Sequence, residues 1–129
     1  MEKQKDGDSV KEIPELWELI ALFEMEPLYV YGEEKDIPWF YSTINFKLTR
    51  NRETLDITFS PANGITDIWV LTGDRKIMQF NLENVEGMRI EKLHNKEILH
   101  ILFPNDDVIE KFYIETNPQI YVYCSKARF

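Results

Sequence analysis

Residue types that ordinarily carry chemistry are few in this chain, and their spacing argues against most reactions. His94 and His100 are the only 2 histidines and Cys124 the only cysteine. A zinc site needs three or four such ligands converging, and a single cysteine does not complete the set. His94 falls in the polar run His94-Asn95-Lys96-Glu97, and His100 inside an apolar run. A surface histidine and a half-buried strand histidine are therefore expected, not metal ligands. Cys124 as a nucleophile would need a histidine brought to it in space. It shares the parity of Ile120 and Val122, which reads as a small buried core residue. The 5 glycines, at positions 7, 32, 64, 73 and 87, stand singly, so no P-loop or dinucleotide fingerprint is present. Gly-x-Ser-x-Gly and Ser-x-x-Lys are absent, and Asp106-Asp107 lacks the spacing of a calcium loop and reads as a solvated turn. With 23 acidic residues some carboxylates must meet, so their number says nothing for glycosidase chemistry. No catalytic residue, metal ligand or cofactor site is assigned.

What remains is surface character. The formal net charge is −8 over 129 residues, and residues 1–36 hold 11 acids against 4 bases. The acidity thus belongs to the first quarter of the chain, and the rest is close to neutral. Such a field repels nucleic acid and anionic membrane and favours a cationic protein partner; it also simply keeps a small domain soluble. Glu33, Glu34 and Asp36 stand just before Trp39, which places acids beside a large aromatic, the combination found at protein interfaces. Trp39 fits equally well as a core residue, and its exposure decides between the two.

The elements that position these residues are mostly strands. Over residues 37–59, Ile44, Phe46 and Leu48 (with Phe40 upstream) fall on one parity and Tyr41, Thr43, Asn45 and Lys47 on the other. After Arg50-Asn51-Arg52, Leu55, Ile57 and Phe59 alternate with Thr54, Asp56 and Thr58, which completes a hairpin. Residues 1–8 read as a disordered tail, with a single globular domain over 9–129. Ser9 with Glu12 resembles a capping box and Pro14 suits a first helical turn. Leu16, Leu19, Ile20 and Phe23 predict an amphipathic helix from Glu15 to about Met25, ended by Pro27. Later strands are expected over residues 65–72, where Ile68-Trp69-Val70-Leu71 suggests burial on both faces, and over residues 77–82, 88–91, 98–103, 108–115 and 119–124. Val108, Phe112 and Ile114 are expected on one face. Tyr121 and Tyr123 point away from the apolar parity of the last strand, to form an exposed sticky face or to cover a second layer. The expected fold is α+β: one N-terminal helix packed on a mostly antiparallel sheet, sandwich or partial barrel of about seven to eight strands. No apolar run approaches the ~18 residues of a membrane helix. The N-terminus carries charge of both signs and does not read as a secretory signal, and a lone cysteine fits a reducing cytoplasm.

Pro38-Trp39-Phe40, Phe80 with Val85 and Met88, and Tyr123-Cys124 occur in the order and places of a pattern in small β-rich bacterial immunity proteins of polymorphic toxin systems and their uncharacterised relatives. The chain resembles that group along nearly its whole length, with Tyr41-Ser42 where the group often has His-Asp. The resemblance implies a cytoplasmic, non-catalytic antidote that binds and blocks a cognate toxin, a basic protein partner that Glu33, Glu34, Asp36 and Trp39 would contact. An alternative is a β domain that binds a small molecule in a pocket lined by some of its 17 aromatic residues, with or without catalysis. A third is a structural domain that homo-oligomerises through an exposed strand edge. A deep apolar cavity would favour the former, and a filled core would count against it.

Overall fold

The computed structural model describes residues 12–33 and 36–126. The expected tail over residues 1–8, Ser9 of the expected capping box and Glu34 lie outside them.

Helix α1 spans Leu16–Phe23. Its capping box is formed by Glu15 and Glu18: the Glu15 N–H donates to Glu18 Oε1 at 2.9 Å, and the Glu15 carboxylate accepts in return. The helix closes earlier than the sequence suggests. Glu24 takes a left-handed conformation at φ 60° and its N–H still reaches the Ile20 carbonyl, so the chain has turned before Pro27. Leu19, Leu22 and Phe23 are buried and Trp17 is exposed.

Nine strands among the described residues form two antiparallel sheets. The first contains β1 (Leu28–Tyr29), β2 (Ile44–Arg50), β3 (Glu53–Ser60), β4 (Ile65–Thr72) and β5 (Arg75–Leu82), in that spatial order. The second contains β6 (Gly87–Lys92), β7 (Glu97–Leu102), β8 (Ile109–Asn117) and β9 (Tyr121–Lys126), likewise in sequence order. Each consecutive pair within a sheet is a direct antiparallel neighbour, as short turns allow. The expected single sheet, sandwich or partial barrel of seven to eight strands thus resolves into two open sheets. They share one core. Ile44, Phe46 and Leu48 of β2 and Leu55, Ile57 and Phe59 of β3 point the same way, as the hairpin alternation requires, and join α1 and Met88, Leu99, Ile101, Phe112 and Ile114 of the second sheet. Phe23 stacks on Phe46 with centroids 4.7 Å apart, and Phe80 meets Phe112 edge-on at 5.3 Å across the two sheets.

Four sequence expectations give way. The hairpin starts at Ile44, not at Phe40, because residues Trp39–Tyr41 form a 3-10 turn after Pro38. Strand β4 is not buried on both faces: Thr66, Ile68 and Val70 are buried, while Trp69 is half-exposed under the Lys76 ammonium, 4.0 Å from its centroid. Cys124 keeps the inward parity but is exposed, since β9 is the sheet edge and its end outruns the core. Val108, expected to share a face with Phe112 and Ile114, lies before β8 and is exposed.

Two local features carry predictions. Gly87 opens β6 where the Met88 N–H donates to the Glu12 carbonyl at 2.7 Å, and a Cβ on Gly87 would run into that carbonyl oxygen. Backbone cannot step aside as a flexible side chain would, so Gly87→Ala is expected to cost about 1–3 kcal/mol, read from the urea midpoint. Arg50 ties three elements together: its guanidinium donates to both Glu24 carboxylate oxygens at 3.2 and 2.8 Å, and its Nε to the Thr116 carbonyl at 2.9 Å. The hydrogen bond from Arg50, with its charge, holds the Glu24 carboxyl below its ordinary 4.5 although partial burial opposes this. The pair therefore stabilises above the unfolded carboxyl value, and that contribution disappears as pH falls below about 4.5 through the depressed folded value. Glu24 is more than half exposed, so solvent screens the ion pair; the larger loss in Arg50→Met is the Thr116 carbonyl left unpaired. About 1–3 kcal/mol is expected at neutral pH, with a shallower acid limb in the variant when urea midpoints are followed from pH 7 to 3.

Candidate functional site

The sequence places its candidate residues between α1 and β2, and the backbone there is shaped by short-range rules. After Pro27 the two residues of β1 pair with Ile44 and Asn45, and the Val30 N–H donates to the Thr43 carbonyl at 3.0 Å. The chain then turns at Gly32, whose φ of +90° suits glycine and whose N–H reaches the Tyr29 carbonyl at 3.2 Å. Beyond Asp36, Pro38 starts the 3-10 turn, closed by Tyr41 N–H to the Pro38 carbonyl and Ser42 N–H to the Trp39 carbonyl. With three residues per turn, successive side chains point about 120° apart. Trp39, Phe40 and Tyr41 therefore cannot share a direction.

Trp39 takes the inward one. Its ring is half-buried against the core cluster, with Phe40 edge-on at 6.2 Å. Phe40 and Tyr41, in contact at 4.9 Å, take the outward ones. Tyr41 is 65% exposed and Tyr31 85%. Tyr31, Gly32, Ile37 and Tyr41 line a shallow depression of about 150 Å³ floored by Ser42 and Thr43. That is small for a metabolite pocket and of the size that takes one side chain. Glu33 and Asp36 are exposed at its margin in sequence. The Tyr29 phenol is pushed up by burial first and then by the Glu33 and Glu26 carboxylates, which places both acids near this corner. The structure thus gathers acids and exposed aromatics here, with Trp39 as their backing. Phe40 is exposed although its parity matches the inward residues of the hairpin, while Tyr41 stands outward as its parity suggests. The Pro-x-x-x-Ser spacing is the signal for the turn that displaces Phe40.

The remaining chemistry-bearing residues do not converge. His94 is exposed in the β6–β7 turn, and His100 is buried with its Nε2 2.8 Å from Glu91 Oε1. No group of three or more His, Cys, Asp or Glu among the described residues could hold a metal.

No family model matches the chain, and no curated protein does. The fold itself has a solved counterpart. It is a chain of the contact-dependent growth inhibition toxin–immunity protein complex from Klebsiella pneumoniae 342, with a TM-score of 0.76 over 91% of this chain and 97% of that one, at 19% identity. At that identity the likeness is one of fold, and it extends over nearly the whole of both chains. The similarity to the Klebsiella complex agrees with the resemblance to immunity proteins seen in the sequence. In this chain the space between helix and sheets is filled by Phe23, Phe46, Phe59 and Phe112, all essentially unexposed.

A second surface answers the question of Tyr121 and Tyr123. Both stand on the outer face of the second sheet and cover no further layer among the described residues. Tyr123 lies opposite Tyr113 and stacks on it at 5.0 Å and 13°, Tyr121 approaches the same ring at 6.4 Å, and His100 at 5.7 Å from the other side. The Glu91 carboxyl is held below its ordinary range by the His100 hydrogen bond first, and by the nearby charges of His100, Arg89 and Lys111.

Proposed function

We propose that this chain is an immunity protein that acts in the cytoplasm, binding a basic cognate toxin through the corner formed by Glu33, Glu34, Asp36 and the aromatic turn at Trp39. The observation that carries this reading is the clustering of exposed apolar surface beside acid. Of the 14 exposed large hydrophobic residues described, Leu28, Val30, Tyr31, Ile37, Phe40 and Tyr41 fall within residues 28–41, with exposed Glu33 and Asp36 among them. Exposed aromatics grouped in this way mark an interaction surface, and acids at its rim steer a cationic partner. The toxin–immunity complex of the fold counterpart supports the choice of partner. The filled interior favours a protein over a small molecule as the ligand.

The experiment is a binding titration between the full chain and the product of the toxin gene adjacent to its own. Association should weaken with salt and with Glu33→Gln, Glu34→Gln and Asp36→Asn combined. Absence of binding, or binding indifferent to both, overturns the reading.

A further inference from the structure

The outer face of the second sheet holds a polar group that the other described residues leave unanswered. Glu115 lies on β8 directly opposite Tyr121 of β9 and Ile98 of β7, two residues along from Tyr113, so its side chain leaves the sheet on the same side as the tyrosines. It is only 8% exposed, and its carboxylate makes no hydrogen bond or ion pair among the described residues. The other four acids and bases on this face are already engaged: His100 and Glu91 bond each other, and the Arg89 and Lys111 charges bear on Glu91. A sunken carboxylate with no donor is unfavourable, and the deficit is corrected when a cation or strong donor meets it. Beside it are ring faces, which attract cations by their quadrupole. The face already shows that attraction within the chain, where Lys111 Nζ stands 5.9 Å from the Tyr113 centroid. The register sets Glu115 beside these rings, and the Tyr113 phenol is pushed up by burial first and then by Tyr121, Tyr123 and Glu115.

We propose that the outer face of β7–β9 is a docking site for a lysine or arginine side chain of a protein partner, whose cationic head meets Glu115 beside the rings of Tyr121 and Tyr113. Charge complementarity selects this occupant: an acidic group without a partner, three phenol rings and a chain of net charge −8 together disfavour an anion and give an apolar group nothing to neutralise Glu115. This surface is distinct from the corner at Glu33 and Asp36, and its test uses no toxin, so either can fail while the other stands.

The full chain would be titrated with blocked arginine (N-acetyl-Arg-methylamide), blocked lysine and blocked norleucine, and followed by NMR. Ring protons of Tyr113 and Tyr121 and the Glu115 amide should shift with the two cations and not with norleucine. Glu115→Gln should weaken the binding about tenfold, the loss of one charge-assisted contact, and Tyr121→Leu should weaken it about threefold. Glu115→Gln also removes the buried charge, so its fold is checked by the amide spectrum away from this face, and Tyr121→Leu carries the test if it is perturbed. No shifts on this face, norleucine binding as well as arginine, or unchanged affinity in a folded Glu115→Gln overturns the proposal.

Discussion

Phe46→Ala is expected to lower the unfolding free energy by about 3–5 kcal/mol. Phe46 is wholly unexposed, stacked on Phe23 of the helix at 4.7 Å and edge-on to Phe59 of β3 at 6.2 Å. Truncation removes the ring's transfer free energy and leaves a void that three elements would have to close together. Helix and hairpin each hold one wall of it, and neither can collapse without pulling residues such as Leu19 or Ile57 out of register. Against a typical domain stability of about 5–15 kcal/mol, such a loss leaves the variant near unfolding at 37 °C. Urea denaturation checks it: the midpoint should fall with the slope unchanged. Tyr41→Ala is the matched control, because that ring is 65% exposed and touches Phe40 and not the core; its effect should stay within about 0.5 kcal/mol.

On the proposed function, combined Glu33→Gln, Glu34→Gln and Asp36→Asn is expected to slow association with a toxin partner by about 10- to 100-fold at low salt. In the proposed interface they act as rim charges (Glu33 and Asp36 are exposed), so their field acts on the encounter more than on the docked state. Dissociation should change little. The gap between native and variant should close as salt rises to 1 M, where the screening length is only about 3 Å. A triple variant that dissociates faster yet associates at the native rate would place these acids inside the interface and not at its rim. Stopped-flow or surface-binding kinetics at two salt concentrations separate the two outcomes.

Much of the scaffold was legible because a strand's two-residue period leaves little choice. Once Phe46 and Leu48 are inward, so are Leu55, Ile57 and Phe59 across the turn at Asn51, and the register bears this out residue for residue. Where reading failed, a boundary or an edge was the cause. The parity of Phe40 matched the hairpin by coincidence, because a proline-initiated 3-10 turn has period three and resets the direction of each side chain. Cys124 lies on the correct parity but on a strand with a neighbour on one side only, so parity did not imply burial. Ile68-Trp69-Val70-Leu71 looked doubly buried, yet a tryptophan can be covered from solvent by a lysine on the adjacent strand as well as by a second layer. The candidate surface was half legible. Acids next to Trp39 are readable in sequence, but which aromatic faces out depends on dihedral angles that composition does not encode. Glu115 was invisible in sequence, since an unpaired carboxylate is a property of its neighbours in space.

The order of the strands in each sheet is their order in the chain, from β1 to β5 and again from β6 to β9. No strand has to wait for a distant segment before it finds its hydrogen-bonding neighbour. Each meander grows by adding one hairpin at a time, and the loop-closure entropy of each step is small. Among β-rich chains this keeps the search short, with residues 28–82 able to zip before residues 87–126 have been synthesised. If the chain has the proposed role, of use only when in place ahead of the toxin it meets, that economy of search is itself a functional property of the topology.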